Sequence, residues 1–377
     1  MEYNVSVIIP MYNRANIIGR ALDSVFRQTL SAVEVIVVDD GSSDNSVEVV
    51  KCYQENHPNL KLFEADHGGP GAARNIGIRQ AAGKYITFLD SDDGIPERAY
   101  ELLFQAAEAG EYEFVVGQVV RKIDTVNQGK WFVPENIANI IRGYTGKNCA
   151  KGFDLVIANP SIWNRMIRRD FLLKNDLFFS KELFGEDMVY NLKLFQCAER
   201  ATAIDEVVYC YETNFQNANS TVSTMALEPV LSGIRSVNSY ALFFDAMGRI
   251  DWEIDVLMGP FEYVLQRFWH LSEEDRAIAF EEIKKYLKHY QNRREYEIPI
   301  VHLMNLDLST LLLLPYAAYE TCKRLTAHPA VPARKTQHVM PSDPKATVLT
   351  MYQNGQIGLR FIIKYFVAWL KYKIRRK

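Results

Sequence analysis

Four short apolar runs, each closed by a turn and the first three each followed by a helical stripe, constrain this chain more than any other feature. Val5 to Ile9 is rich in β-branched residues and closes at Pro10, as a strand buried on both faces does. Ile17, Ile18, Ala21, Leu22, Val25 and Phe26 then fall on one helical stripe. Val33 to Val38 is a second strand ending abruptly in Asp39-Asp40-Gly41, and Ser43 to Tyr53 reads as its helix, with Ser or Asp to cap it. Leu60 to Glu64 predicts a third strand and Ala72 to Ala82 a third helix. Tyr85 to Leu89 is a fourth strand, running into Asp90-Ser91-Asp92-Asp93. Such alternation implies right-handed βαβ crossovers and an α/β fold, a mostly parallel sheet with helices on both faces. Ligands of such a sheet bind at the carboxyl ends of its strands, where both acidic clusters fall.

The remaining chain gives coarser bounds. Its 377 residues suit about two domains of roughly 150 residues each. From 97 to 225 the signals are mixed, with a helix over 97–109 and a strand from Phe114 to Val120. Beyond 226 the pattern is helical, near 226–247, 251–270, 273–290 and 308–325. His328 to Ala346 carries Pro329, Pro332, Pro341 and Pro344 among polar residues, a composition that resists helix and sheet. The expected organisation is an α/β domain over 1–225, a helical domain over 226–326, a Pro-rich linker over 327–347 and a basic amphipathic segment over 348–377.

Hydrophobic residues at 48% and charged residues at 24% are enough to build a core, and a net charge of −3 offers no overall basic field for nucleic acid. The five cysteines (52, 149, 197, 210 and 322) contain no CxxC pair, which argues against zinc and against a disulfide framework. The start lacks the basic and apolar regions of a signal peptide. The late apolar run Leu308 to Tyr319 is shorter than the ~20 helical residues that span a bilayer. A soluble or surface-bound cytoplasmic protein is expected.

Three stretches carry residue types suited to chemistry. Asp90, Asp92 and Asp93 place like charges together, which is costly unless a cation such as Mg²⁺ or Mn²⁺ offsets it. The same residues also read as an acidic loop with a helix cap. Asp39 and Asp40 end the second strand, where an acid can accept a hydrogen bond from a sugar hydroxyl or a base N–H; a tight turn plus cap uses the same residues. Gly68-Gly69-Pro70-Gly71 opens the third helix and lets a ligand approach backbone, with Arg74 in reach of phosphate or a metal-site carboxylate. It is neither a P-loop nor GxGxxG, and an ordinary loop before a helix also fits.

Together, VSVIIPMYN (5–13), EVIVVDDGSSDNS (34–46), GPGAARNIGI (69–78), GKYITFLDSDD (83–93) and FGEDM (184–188) resemble family 2 glycosyltransferases of the GT-A fold in order, spacing and residue type, over roughly residues 3–225. The resemblance implies that Pro10, Tyr12, Asn13, Asp39 and especially Asp40 grip the base of a nucleotide, usually uridine. It implies that Gly71, Arg74 and Asn75 contact the nucleotide-sugar side of the cleft, and that Asp90 and Ser91 lie at the ribose. Asp92 and Asp93 then meet an Mn²⁺ or Mg²⁺ ion bridging the diphosphate, and Asp187, with Glu186 beside it, is the general base. Trp163-Asn164-Arg165 is similar to a W-N-K stretch of these enzymes and is assigned to the acceptor side, here with Arg for Lys.

The implied reaction is inverting transfer of a sugar, from a UDP-sugar donor, to a hydroxyl of a glycan or glycoconjugate. A carboxylate takes the acceptor proton and the metal stabilises the leaving diphosphate. One departure stands out: no His occurs between 68 and 269 to complete a metal shell, leaving Asp92 and Asp93 with phosphate and water, or Asn217, Asn219 or Ser220. Sugar nucleotidyltransferases are a rival class, but IPMYNR lacks their glycine- and arginine-rich phosphate loop. A non-catalytic glycan-binding or scaffold module is a second rival, against which the intact Asp92 and Asp187 argue.

The C-terminal stretch 357–377 carries seven Lys and Arg residues and no acid, with Trp369 and several other aromatic residues. It suits either a membrane interface, at the inner face, or a terminal helix packed on its neighbours. The helices over 226–325 are expected to serve oligomerisation if they do not serve the fold alone.

Overall fold

The computed structural model describes residues 2–123, 130–213, 226–249 and 260–290, and divides the chain into two compact units, Met1–Trp252 and Glu253–Lys377. The segments 214–225 and 291–377, with the Asn217, Asn219 and Ser220 candidates, the 308–325 helix, the linker and the basic stretch, lie outside the described residues.

The first unit opens with the alternation its sequence predicts. β1 (Val5–Met11), β2 (Val33–Asp39), β3 (Leu60–Glu64) and β4 (Tyr85–Phe88) form a parallel block in the order β3-β2-β1-β4, connected by α1 (Ile18–Phe26), α2 (Ser46–Gln54) and α3 (Pro70–Gln80). Every residue of β1 and β2 is buried, as continuous apolar runs covered on both faces require. Pro10 is tolerated in so central a strand because of its register. Ile8 C=O accepts from Leu89 N–H on the β4 side and Met11 C=O from Asp40 N–H on the β2 side. Pro10 therefore faces β4 beyond its last pair, Ile8–Phe88, and its missing N–H breaks no ladder bond.

α4 (Ala99–Gly110) then leads into strands whose direction changes. β7 (Arg165–Arg168) pairs antiparallel with β4, β5 (Phe114–Ile123) antiparallel with β7, and β6 (Trp131–Phe132) antiparallel with β5. β8 (Ala201–Thr213) runs parallel to β5, so an eight-stranded mixed sheet results. One core lies between this sheet and α1 and α4, around Val7, Ile9, Leu22, Val35, Leu103 and Val115. The region that reads as mixed in sequence also folds into α5 (Glu135–Tyr144), α6 (Phe153–Ala158), α7 (Arg169–Lys174) and α8 (Glu186–Cys197).

The first unit runs past residue 225, where the sequence reading ends the α/β domain. α9 (Leu227–Ala246) buries Ser232, Ser236, Val237 and Phe244 and packs against α8. In the second unit, helices at Pro260–Phe268 and Glu273–Leu287 meet through the Phe261 and Tyr286 rings, 5.2 Å apart. Ser272 caps the latter helix by accepting from Asp275 N–H at 3.1 Å, with acids in its first turn and lysines in its last. None of the described helices is long and apolar enough to cross a membrane.

Candidate active site

The carboxyl ends of β1, β2 and β4 converge, and short polar contacts sew their loops together. Asn13, at φ 52°, accepts from Ser43 N–H through Oδ1 at 2.8 Å, and its own N–H donates to Ser42 Oγ at 2.8 Å. Asp44 accepts from Ala15 N–H at 3.1 Å and from Ser46 N–H, the first of α2, at 3.0 Å, so it ties the start of that helix to the β1 loop. Asp39 Oδ2 accepts from Ser42 N–H at 3.0 Å, whereas Asp39 Oδ1 is buried without a protein partner. Asp40 holds the Gly-rich loop: Oδ1 accepts from Gly68 N–H at 2.8 Å, Oδ2 from Gly69 N–H at 2.9 Å, and His67 Nδ1 lies 2.9 Å from Oδ2. Tyr12, exposed at this rim, lies against the His67 ring with centroids 4.4 Å apart.

Arg74 is the hub. It sits in the first turns of α3, 4% exposed. Nη2 donates to Asp90 Oδ1 at 2.9 Å, and Nη1 donates to Glu186 Oε1 at 2.9 Å and Asp187 Oδ1 at 3.2 Å. Burial opposes its charge, but Asp187, Asp90 and Glu186 outweigh that and push its pKa up. Burial likewise pushes both acids up, Glu186 further through the Asp187 charge, while Arg74 pulls both back. The two differ in access: the Glu186 side chain is 8% exposed and that of Asp187 22%.

α8 begins at these acids because Gly185, at φ 77°, makes a left-handed turn that a side chain would resist. Gly71 lets the two segments meet: a Cβ there would lie 3.1 Å from Ser180 O and 3.3 Å from Glu186 Cγ.

Asp92 stands beside this cluster. Its carboxylate is 27% exposed with Arg14 Nη2 at 3.9 Å, and its backbone oxygen accepts from Arg20. Burial, then the Asp90 charge, raises its pKa. Among the described residues no three His, Cys, Asp or Glu side chains form a metal cage. The donor set suits a hard cation held by one or two carboxylates with the rest of its shell from phosphate and water, the habit of Mg²⁺.

Four other expected residues are held by the protein itself. The expected pairing of Asp92 with Asp93 at one metal is not what the side chains form: Asp93 is 1% exposed, accepting from Tyr209 O–H at 2.7 Å and Glu212 N–H at 2.9 Å. Asn75 is engaged both ways by Phe179, donating to its C=O at 3.1 Å and accepting from its N–H at 2.8 Å, so its amide ties α3 to the segment before α8. Trp163 is stacked on Tyr209 at 4.0 Å in the core, and Asn164, fully buried, donates to Gly117 C=O at 2.7 Å. Ser91 is buried at the turn after β4.

Arg14 and His67 are site neighbours that the sequence motifs do not single out, and Arg165 is a buried brace. Arg165 is 1% exposed, holds Asn159 C=O, Ser161 C=O and Asn164 Oδ1, and has its pKa pulled down to about 10 by burial. Arg14 follows Asn13 directly, so its place in that motif was the available signal.

A GT-A-type α/β domain with an acidic cluster at its strand ends is thus defined. Residues 6–174, a stretch within the first unit, match the family model described as glycosyl transferase family 2. EpsJ of Bacillus subtilis, named as an uncharacterized glycosyltransferase, is 33% identical over 216 residues, covering 56% of this chain and 61% of that protein. The cholesterol galactosyltransferase of Borreliella burgdorferi is 27% identical over 240 residues, covering 60% and 64%. The chain spans 60–64% of the length of three curated relatives it matches and 19–39% of five others. The solved structure of S. aureus TarS 1-349 in complex with UDP has the same fold, with TM-score 0.63 at 19% identity over 88% of this chain and 94% of that one.

Proposed function

We propose that the first unit is an inverting, metal-assisted glycosyltransferase that moves a sugar from a UDP-sugar to a hydroxyl of a glycan or glycoconjugate. The observation that carries this reading is the Arg74 hub, which joins the β4-end acid Asp90 to the α8 acids Glu186 and Asp187. It gathers a donor-side acid and a base from segments about a hundred residues apart in sequence, |i−j| being 113 for Arg74–Asp187.

Asp187 takes the base role because it has the more accessible carboxylate of the pair. It accepts the proton as the acceptor hydroxyl attacks the anomeric carbon, and a single displacement inverts that centre. Arg74 keeps Asp187 ionised despite burial, and Asp90 leaves Arg74 charged in turn. Asp39 Oδ1, buried and unpartnered, is an acceptor for a base N–H, and Tyr12 offers an exposed ring beside it. Asp92, with Asp90 near, would hold Mn²⁺ or Mg²⁺, which when bound supplies Lewis-acid stabilisation to the departing diphosphate. TarS relatives support the donor class: solved forms hold UDP and UDP-GlcNAc, and one is named a β-N-acetylglucosaminyltransferase.

A UDP-release screen across UDP-sugars, with and without Mn²⁺, tests the reading. Release from one donor that needs both the metal and Asp187 is expected; no release from any nucleotide sugar would overturn it. Attachment of residues 357–377 to a membrane surface and oligomerisation through the C-terminal helices are separate proposals, tested by liposome co-sedimentation and by light scattering.

A further inference from the structure

The turn that launches the Asp187 helix is held from behind by α9. Phe184 N–H donates to Ser232 Oγ at 3.0 Å, and Ser236 Oγ donates back to Phe184 C=O at 2.8 Å. Both polar groups of the Phe184 backbone thus close on two serines one helical turn apart, each 1% exposed or less. Arg235, between them, clasps Glu182 through Nε at 3.1 Å to both oxygens and Nη2 at 2.9 Å, a two-pronged pair that fixes the turn two residues earlier. The fit is close: a Cβ on Gly185 would lie 2.8 Å from Ser236 Cβ, so only a glycine and a small residue allow this approach. The same turn meets the donor side, since a Cβ on Gly69 would lie 2.7 Å from Leu183 Cδ2.

We infer that Ser232, Arg235 and Ser236 of α9 are positioning residues for Asp187. They fix the backbone of 182–185 and so aim the first turn of α8 at Arg74 and Asp90. This rests on the reading of Asp187 as the base, and it makes turnover depend on a helix beyond residues 6–174, the segment the family model matches. None of the three touches substrate; they act through the position of one carboxylate. Misplacement of a reacting group by about 1 Å costs on the order of 10²-fold in rate.

The test is the double variant Ser232→Ala with Ser236→Ala, which removes two hydrogen bonds and keeps helix propensity, alongside Arg235→Met and Arg235→Lys. Steady-state kinetics, UDP affinity, melting temperature and hydrogen exchange of the 183–190 peptide are read for each. The expected result is kcat down by about 10- to 100-fold with UDP affinity within about twofold. Exchange at 183–190 should quicken, and the acid limb of kcat should move upward as Asp187 leaves Arg74. Arg235→Lys, which can still reach Glu182, should lie between the parent and Arg235→Met. A double variant with wild-type kcat and acid limb overturns the inference, and so does one in which UDP affinity and melting temperature fall in step with kcat. If the double variant does not fold, Ser236→Ala alone is read by the same criteria. A wild-type protein that turns over no nucleotide sugar overturns the function proposed above; an active wild type with an unaffected double variant overturns the role of α9 alone.

Discussion

Arg74 Nη1 stands 3.2 Å from Asp187 Oδ1, a cation set against a carboxylate whose pKa burial pushes up. Removing the guanidinium leaves Asp90, Glu186 and Asp187 facing one another without a counter-charge. Arg74→Met should lose about 3–5 kcal/mol of stability, the scale for breaking a buried pair from one side. The loss should be smaller at low pH, where the acids are protonated and the arginine matters less. Urea unfolding of the variant and parent at two pH values checks both points.

The base assignment predicts unequal effects from two neighbouring acids. Asp187→Asn should lower kcat by ~10²–10⁴ with UDP affinity little changed, because only the proton acceptor is removed. Glu186→Gln should cost far less, since Gln still accepts from Arg74 and the more buried acid meets no acceptor. Equal loss in both variants would reassign the base to the pair.

A related outcome concerns pH. Burial holds the Asp187 pKa above the ordinary carboxylate value of about 3.9, so the base is protonated, and lost, at a higher pH than an exposed Asp would be. kcat should therefore fall as pH drops through that raised value, with an acid limb above pH 4, and Asp90→Asn should move the limb downward by removing a neighbouring negative charge that raises it. A pH–rate profile of the two proteins decides it.

The metal proposal is checked without turnover. Asp92→Ala should weaken UDP binding in Mn²⁺ by about 10-fold or more, as loss of a charged ligand would, and leave binding in chelator unchanged. Calorimetry in both buffers separates this from a general loss of fold.

The parallel half of the fold and the acidic strand ends were legible because they are local: apolar runs of five or six residues, turn signals, then a 3.6-residue stripe. The order of motifs singles out Arg74, Asp90 and Asp187, and the structure brings all three together around one guanidinium. What escaped depends on partners far along the chain. Asp93 looks like part of a metal motif, but its partner Glu212 is 119 residues away, and Asn75 finds Phe179 at a separation of 104. Trp163 and Asn164 read as an acceptor-side pair, yet β8 and Gly117, neither nearby in sequence, draw both into the core. β7 is only four residues long, Arg-Met-Ile-Arg, too short to show a period, and its place is fixed by β4 and β5 on either side. The union of α9 with the Asp187 turn is equally invisible, because two serines on a helix read as surface until the turn arrives.

One glycine tests how tightly the donor-side helix seats on the sheet. A Cβ at Gly77 in α3 would lie 2.4 Å from Ile8 Cγ2 and 3.0 Å from Cγ1. Ile8 is fully buried in β1 and lacks room to turn away, so α3 must shift. Overpacking of this kind costs about 1–3 kcal/mol, and the helix propensity gained by Ala returns about 1 kcal/mol of it. Gly77→Ala should thus lower the urea midpoint, and because α3 carries Arg74 it should lower kcat as well. Gly143→Ala is the control: it lies in α5, where a Cβ meets nothing within 4 Å, so the same substitution there should leave the midpoint unchanged or raise it. A Gly77→Ala midpoint equal to that of Gly143→Ala would mean that α3 does not press on β1 as these distances require.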